Sequence, residues 1–456
     1  MIKLISHKNS IRSMGELVGY KGFSLELLKK SNVSIGDLIE IISPKMRYEG
    51  ILMPRYEYAD DLHVVIKLAN GYNIGIDVRN IQSIKRVSEG AKPHFAPPPT
   101  PSINPNLPKV SIISTGGTIA SRVDYRTGAV HPALSASDLY SVVPELSQHA
   151  LIDAEVLFSI YSENMKAEYW RDLALKVKEK VKDGYQGIVI THGTDTMGYT
   201  SAALSFALSN VPIPVVLVGS QRSSDRPSSD AALNLISAVL VASKAPFSGV
   251  YVVMHSSMSD DTLAVHLGTK VRKNHTSRRD AFESVNIPPV AYVKGNKIEN
   301  IMPNLPPRRY DMDFDVKPNF DVRVALLKFY PNFDPDIIGY LIDKGYRGIV
   351  LEGTGLGHVS NYCYGKLKDA IDKGLLVAMT SQCIWGRVRM SVYDTGRDLL
   401  NIGVIPLEDM LSETALVKMM WALGNSDSVE EAKDLMRRNI VGEINHRSDL
   451  ERRPVK

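Results

Sequence analysis

The 456-residue sequence predicts a small β-barrel at the N-terminus, joined by a proline-rich tether to a doubly wound α/β domain and a smaller C-terminal α/β subdomain. Three observations predict it. Residues 37–86 contain five short β-branched runs, seven prolines fall between Pro93 and Pro108, and from Lys109 near-continuous apolar runs alternate with helical segments. An apolar fraction of 44% with 23% charged residues supplies a sizeable core, and the length exceeds one ordinary domain of roughly 100–200 residues. A single small module and a disordered chain are both excluded.

Within residues 1–88, the runs DLIEIISP, YEGILMP, LHVVIKLA, YNIGIDV and IQSIKRV read as strands, separated by turn formers such as Asn70-Gly71. Five strands in so short a span predict a closed or half-closed barrel. Residues 89–108 lack apolar periodicity, and their prolines remove backbone donors and favour extended chain, which predicts a semi-rigid spacer. From Lys109, VSIISTGG, GIVITHG, PVVLVGS, GVYVVMH, RVALLKFY, GIVLEGT and LVAMTSQ read as parallel strands buried on both faces. Helical segments such as AEYWRDLALKVKEKV, TSAALSFALSN, AALNLISAVLVAS, DIIGYLIDKG and GKLKDAIDKG lie between them. Periodicity is lost near 295–322, which divides this part into domains at 109–305 and 320–435, followed by a basic tail at 436–456.

No stretch approaches the ~18–20 apolar residues of a membrane span, and the N-terminus lacks a signal peptide's apolar run. A cytoplasmic protein without membrane contact is expected. Cys363 and Cys383 match no zinc spacing and are expected to be free thiols. A formal charge of +4 is too diluted to predict nucleic-acid binding by itself.

The first α/β strand ends in Ser114-Thr115-Gly116-Gly117-Thr118, where glycines allow the sharp turn that presents a hydroxyl beside backbone N–H groups. The spacing differs from GxGxxG, and no acidic residue follows at ribose distance. Another strand ends in His192-Gly193-Thr194-Asp195-Thr196-Met197. Alone, the first loop reads about equally well as a helix cap, and capping is the commoner role for an aspartate placed like Asp195. Together, on one sheet edge, they predict a site with metal ligands absent, in which Asp195 orients a base or binds a substrate ammonium. No GxSxG elbow is present. A lysine set among other cations can act as general base, and the run Thr269-Lys270-Val271-Arg272-Lys273-Asn274-His275 supplies one. A solvated loop or a phosphate-binding face would have the same composition.

TGGTIA at 115–120 and HGTDTM at 192–197, with VGSQR at 218–222, SSDAALN at 228–234 and Lys273-Asn274, resemble the L-asparaginase family over roughly 109–435. The resemblance implies that a threonine hydroxyl attacks the side-chain amide of asparagine or glutamine, releases ammonia and leaves an acyl-enzyme that water cleaves. By motif it implies Thr115 and Thr194 as hydroxyls, Asp195 as support and substrate contact, and Lys273 as base. It also implies Tyr125 over the nucleophile, Ser162 on the substrate carboxylate, and Gly116, Gly117 and Gly193 as turn and oxyanion positions. Glu163 stands where many asparaginases have glutamine, an added negative charge that alters amino-acid recognition. The C-terminal half has no clear match to the glutamate that a neighbouring protomer lends.

With its extra N-terminal unit, the whole layout resembles the D-type chain of the archaeal glutamyl-tRNA(Gln) amidotransferases. That resemblance implies a homodimer joined to two copies of a kinase-like, E-type amidotransferase partner as a heterotetramer. The partner would bind ATP and magnesium and most of tRNA(Gln), while this chain takes glutamine or asparagine and holds no cofactor. Residues 1–86 contain thirteen Lys and Arg against nine Asp and Glu, a difference of +4 that permits an acidic partner. Two other readings stay open: a free-standing cytoplasmic L-asparaginase, and a tRNA-binding scaffold with idle catalytic remnants.

Overall fold

Strands β1 (Leu38–Ile42), β2 (Arg47–Leu52), β3 (His63–Lys67), β4 (Asn73–Asp77) and β5 (Ser83–Ser88) pair antiparallel in the order β4-β3-β2-β1-β5. The computed structural model describes residues 17, 19–55, 60–68, 73–89, 104–116, 121–123, 130–132, 139, 143–222, 229–311 and 313–448. Among these, no ladder joins β4 to β5, which is the half-closed form of the expected barrel. Alternation along β3 buries Val64 and Ile66, and the helix Gly22–Lys30 adds Leu28 to the same core as Ile39, Ile41 and Leu52. Tyr20 ties the start of this helix to the sheet. Its hydroxyl donates to the Met53 carbonyl at 2.9 Å and accepts the Val65 N–H at 3.0 Å. The Asn70-Gly71 turn and residues 90–103 of the proline-rich segment lie outside the described residues.

The chain divides into two compact bodies, and the larger holds two sheets of α/β type. Its strands are β6 (Lys109–Ser114), β9 (Leu151–Val156), β10 (Gly187–Thr191), β11 (Pro214–Val218), β12 (Gly249–His255), β13 (Leu263–Leu267), β16 (Ala291–Lys294) and β17 (Lys297–Glu299), in the order β17-β16-β13-β12-β11-β10-β6-β9. Between β6 and β9, β7 (Ser121–Val123) and β8 (Val130–Pro132) form a separate two-stranded sheet, and β14 (Val271–Lys273) pairs with β15 (Phe282–Ser284) as another. The five strands β9, β6, β10, β11 and β12 are parallel, as the apolar runs of the last four predict; β9, half-buried and interrupted by Asp153 and Glu155, is not foreseen. The remaining three are antiparallel, so the sheet is mixed. Along β10, Ile188 and Ile190 enter one core while Val189 enters the other, because successive side chains point to opposite faces.

The second sheet, β18 (Val324–Lys328), β19 (Gly348–Gly353), β20 (Leu376–Ser381) and β21 (Ile405–Pro406), is wholly parallel. It shares a core with the first domain. Phe206, on the helix Met197–Ala207, stacks on Trp421 of the helix Ser412–Gly424, with ring centroids 5.6 Å apart. The aperiodic segment between the two sheets is stitched along this body: Arg308 donates to the carbonyls of Ala242 and Ser243, and the Trp421 indole donates to the Lys317 carbonyl.

Residues 439–445, expected from composition to belong to a basic tail, are instead packed into this body. Glu443 is fully buried, pairs with the equally buried Lys418 and accepts the N–H groups of Ile440 and Val441. Local charge gives no sign of this, because the partner lies a helix away.

Candidate active site

In parallel α/β sheets, ligands bind beyond the carboxyl ends of the strands, where adjacent strands send their connections in opposite directions. That point lies between β6 and β10. The chain leaves β6 toward β9 on one side and leaves β10 toward β11 on the other. Thr115 follows the first of these strands, and His192–Thr196 follows the second.

Thr115 is 1% exposed. Both its N–H (3.1 Å) and its hydroxyl (2.9 Å) donate to the Thr191 carbonyl, which locks the two strand ends together. Gly116 makes the turn at φ +113°, and a Cβ there would come 2.2 Å from the Ile160 carbonyl oxygen. Only glycine fits both demands. Gly193 is also held close, since its Cβ would lie 2.8 Å from the Ser162 Cβ. The Ser162 carbonyl also accepts the Thr196 hydroxyl at 2.7 Å, so the loops after β9 and β10 are joined. Ser162 is buried and Glu163 beside it is exposed.

Lys273, at the end of β14, carries the central contact. Its Nζ donates to Thr194 Oγ1 at 2.8 Å and to Asp195 Oδ1 at 2.7 Å. The lysine side chain is 13% exposed and the aspartate 70%, so the ammonium sits at the crevice wall while the carboxylate faces solvent. Thr194, Asp195 and Lys273 are therefore in direct contact, although 78 residues of chain separate the lysine from the aspartate. Thr115 shares no hydrogen bond with them among the described residues; its link to this group is the Thr191 carbonyl one strand end away. Gly117 and Tyr125 lie outside the described residues.

The cationic run around Lys273 is not a crowd of unbalanced charges. Lys270 is buried against Asp409, Arg272 meets Glu413 at 3.0 Å, Arg278 meets Asp280 at 2.7 Å, and Arg279 meets Asp260. Each of these cations has a carboxylate partner: Asp280 lies in the same loop, while Asp260, Asp409 and Glu413 come from elsewhere in the chain. The Lys273 side chain is mostly shielded from solvent, unlike that of an ordinary surface lysine.

The other motifs brace this edge. Asp230 accepts the N–H groups of Gln221 (3.0 Å) and Arg222 (2.9 Å), and Asn234 donates to the Gly219 carbonyl at 2.9 Å. A Cβ on Gly219 would fall 2.6 Å from Met197 Cε and 2.8 Å from the His192 carbonyl oxygen. VGSQR and the described part of the second motif, Ser229–Asn234, thus form the shelf under the loop that carries Thr194. Among the described residues, no group of three or more His, Cys, Asp and Glu side chains is placed to hold a metal ion.

Residues 109–305 match the family described as "Asparaginase, N-terminal", residues 323–436 match "Glutaminase/Asparaginase C-terminal domain", and residues 33–87 match "GatD N-terminal domain". A D-type chain of glutamyl-tRNA(Gln) amidotransferase from Sulfolobus acidocaldarius is 50% identical, over 94% of this chain and 95% of its own length. The chain belongs to the GatD family of glutamyl-tRNA(Gln) amidotransferase subunits. A second GatD-family relative, from Methanothermobacter thermautotrophicus, is 49% identical over 95% of this chain and 99% of its own. Among solved structures, the thermostable L-asparaginase from Thermococcus kodakarensis is 36% identical and superposes with a TM-score of 0.67, over 74% of this chain and 100% of that one. The GatD architecture is thus an asparaginase-type body with an added N-terminal antiparallel domain.

Sequence reasoning on this GatD-family chain missed three residues behind the signature loop. His192 is buried, with Nδ1 2.6 Å from the Gly193 carbonyl and Nε2 2.9 Å from Thr200 Oγ1, and the Trp170 indole donates to that same Oγ1 at 3.0 Å. Burial holds the His192 pKa down at about 4. The only signal was the placement of a histidine and a threonine eight positions apart, at a strand end and on the helix that follows it.

Proposed function

We propose that this chain is the ammonia-generating component of an ATP-dependent glutamyl-tRNA(Gln) amidotransferase. It hydrolyses the side-chain amide of glutamine, or of asparagine, and supplies the ammonia to an E-type partner. The partner binds ATP and magnesium, activates the glutamate of Glu-tRNA(Gln), holds most of the tRNA, and forms Gln-tRNA(Gln). Two copies of each chain assemble as a heterotetramer through a dimer of this one, and the N-terminal unit at 1–88 is carried on the tether at 89–108.

The observation that carries this reading is the Thr194–Lys273–Asp195 contact at the switch point between β6 and β10. After the Lys273 ammonium gives up one proton to solvent, the neutral amine accepts the hydroxyl proton of Thr194, and the freed oxygen can attack an amide carbon. The C–O bond forms, backbone N–H groups around Gly116, Gly117 and Gly193 receive the charge on the carbonyl oxygen, and collapse breaks the C–N bond. The proton returns to the leaving nitrogen, which departs as ammonia, and water cleaves the acyl-enzyme. Thr115 is the second hydroxyl of the site; to reach a substrate it must rotate away from the Thr191 carbonyl. Asp195 supports Lys273 and binds the substrate ammonium, Ser162 binds its carboxylate, Glu163 tunes the choice of amino acid, and Tyr125 covers the nucleophile.

The test is an amidation assay with Glu-tRNA(Gln), with and without an E-type partner. Glutamine-dependent formation of Gln-tRNA(Gln) only when both chains are present is the expected result. Rapid hydrolysis of asparagine by the isolated chain, with no stimulation by partner and tRNA, would identify a free-standing L-asparaginase instead. Replacing Thr115 and Thr194 separately by valine tests both hydroxyls, and unchanged amidation in both variants removes them from the mechanism and favours a scaffold with idle remnants.

A further inference from the structure

We propose that Trp170, Thr200 and His192 are positioning residues of this active site. They form a one-way hydrogen-bond relay that fixes the Gly193–Thr194 peptide, and with it the Thr194 hydroxyl, against Lys273. The inference rests on the reading of Thr194 and Lys273 as a reacting pair.

The direction of every proton in the relay follows from the chemistry of its members. An indole N–H can only donate, so Thr200 Oγ1, 3.0 Å away, accepts from Trp170. A backbone carbonyl can only accept, so His192 Nδ1, 2.6 Å from the Gly193 oxygen, carries a proton. The ring is fully enclosed, and no carboxylate is among its hydrogen-bond partners, so it is neutral and bears one proton only. Nε2 is then a bare lone pair, and the single hydroxyl proton of Thr200 points to it across 2.9 Å. Trp170 N–H, Thr200 O–H and His192 Nδ1–H all face the same way, ending on the Gly193 carbonyl.

The terminus of the relay gives it a function beyond satisfying buried polar groups. Gly193 has no side chain of its own to set its peptide plane, because Ser162 occupies the space a Cβ would need. Glycine is the most permissive residue in the backbone. The relay supplies the missing constraint from behind, and the next side chain along is Thr194, whose Oγ1 meets Lys273 Nζ at 2.8 Å. Three elements share the work: the helix Ala167–Lys182 brings Trp170, the helix Met197–Ala207 brings Thr200, and the end of β10 brings His192.

The experiment compares Thr200→Val, Thr200→Ser and Trp170→Phe in the full chain. It measures ammonia released from glutamine and from asparagine, thermal unfolding, and the ¹⁵N spectrum of labelled histidine, with His192 assigned by His192→Asn. The wild type should show a fixed Nδ1–H tautomer at His192. Thr200→Val should lower kcat about tenfold or more with KM nearly unchanged, because the hydroxyl is misplaced while substrate contacts remain. Thr200→Ser should restore both rate and tautomer, with Trp170→Phe between. Equal activity of the valine and serine variants, a loss confined to KM, or a loss that merely follows the unfolding temperature would overturn the relay. Failure of the wild type to release ammonia from either amide, with the E-type partner, ATP and Glu-tRNA(Gln) present in every assay, would instead sink the functional reading beneath it.

Discussion

Lys273 divides its donors between a hydroxyl and a solvent-facing carboxylate, and the two contacts carry different weight. The pair with Asp195 is an exposed one on the aspartate side, worth at most about 1 kcal/mol to stability. The contact with Thr194 is the one to which the proposed chemistry is assigned. Lys273→Met should therefore reduce ammonia release by roughly 10²–10⁴-fold, the range of a positioned general base, while the unfolding temperature stays within a few degrees. Retained turnover would assign the base elsewhere. Gly116 is the opposite case, a residue whose replacement acts through the backbone. Gly116→Ala forces a left-handed conformation and a contact with the Ile160 carbonyl, and should cost at least roughly 1–3 kcal/mol in a denaturation experiment as well as activity.

At the scale of elements, the buried Lys418–Glu443 pair ties the helix Ser412–Gly424 to the segment that follows the last helix. Glu443→Leu strands a buried ammonium and two N–H groups, and should cost about 3–5 kcal/mol. The double variant Lys418→Met with Glu443→Leu should recover part of that loss, and urea unfolding of both variants and the wild type checks it. This pair also marks where sequence reading stops. Parallel strands such as β10 and β11 were legible because burial on both faces leaves an unbroken apolar run. The two signature loops were legible because glycine and hydroxyl residues follow such runs directly. The antiparallel strands β13, β16 and β17 were not, since runs of three to five residues with polar members look like loop. Nor was the balance of the cationic run around Lys273, because Asp409 and Glu413 lie more than a hundred residues away in the chain. Pairings over such separations leave no local pattern.

For the whole molecule, buried histidines set the pH response. Burial depresses His192 to about 4 and His266 to about 3, so both are neutral in the folded chain while the unfolded chain takes up protons near pH 6.5. The folded state binds fewer protons over this range, and stability must fall as pH drops from about 6.5 toward 4. At pH 5 the loss should be about 2 kcal/mol for each histidine relative to neutral pH, read from urea unfolding at both values. His266→Asn should flatten the slope, and an unchanged slope would remove that histidine from the account. The tether is tested separately: limited proteolysis of the native chain should cut between Ala91 and Pro108 and leave two resistant fragments, whereas resistance across that stretch would contradict two bodies on a spacer. A last consequence concerns the order in which the protein is made. Lys270, three positions before Lys273, is buried against Asp409, and the Asp409 carboxylate accepts both the backbone and the side-chain N–H of Asn445. The strand that carries Lys273 is thus preceded by a residue anchored on groups that leave the ribosome long after it does. A nascent chain that already carries both signature loops still lacks Asp409 and Asn445, so the buried Lys270 pair can close only once translation is nearly complete.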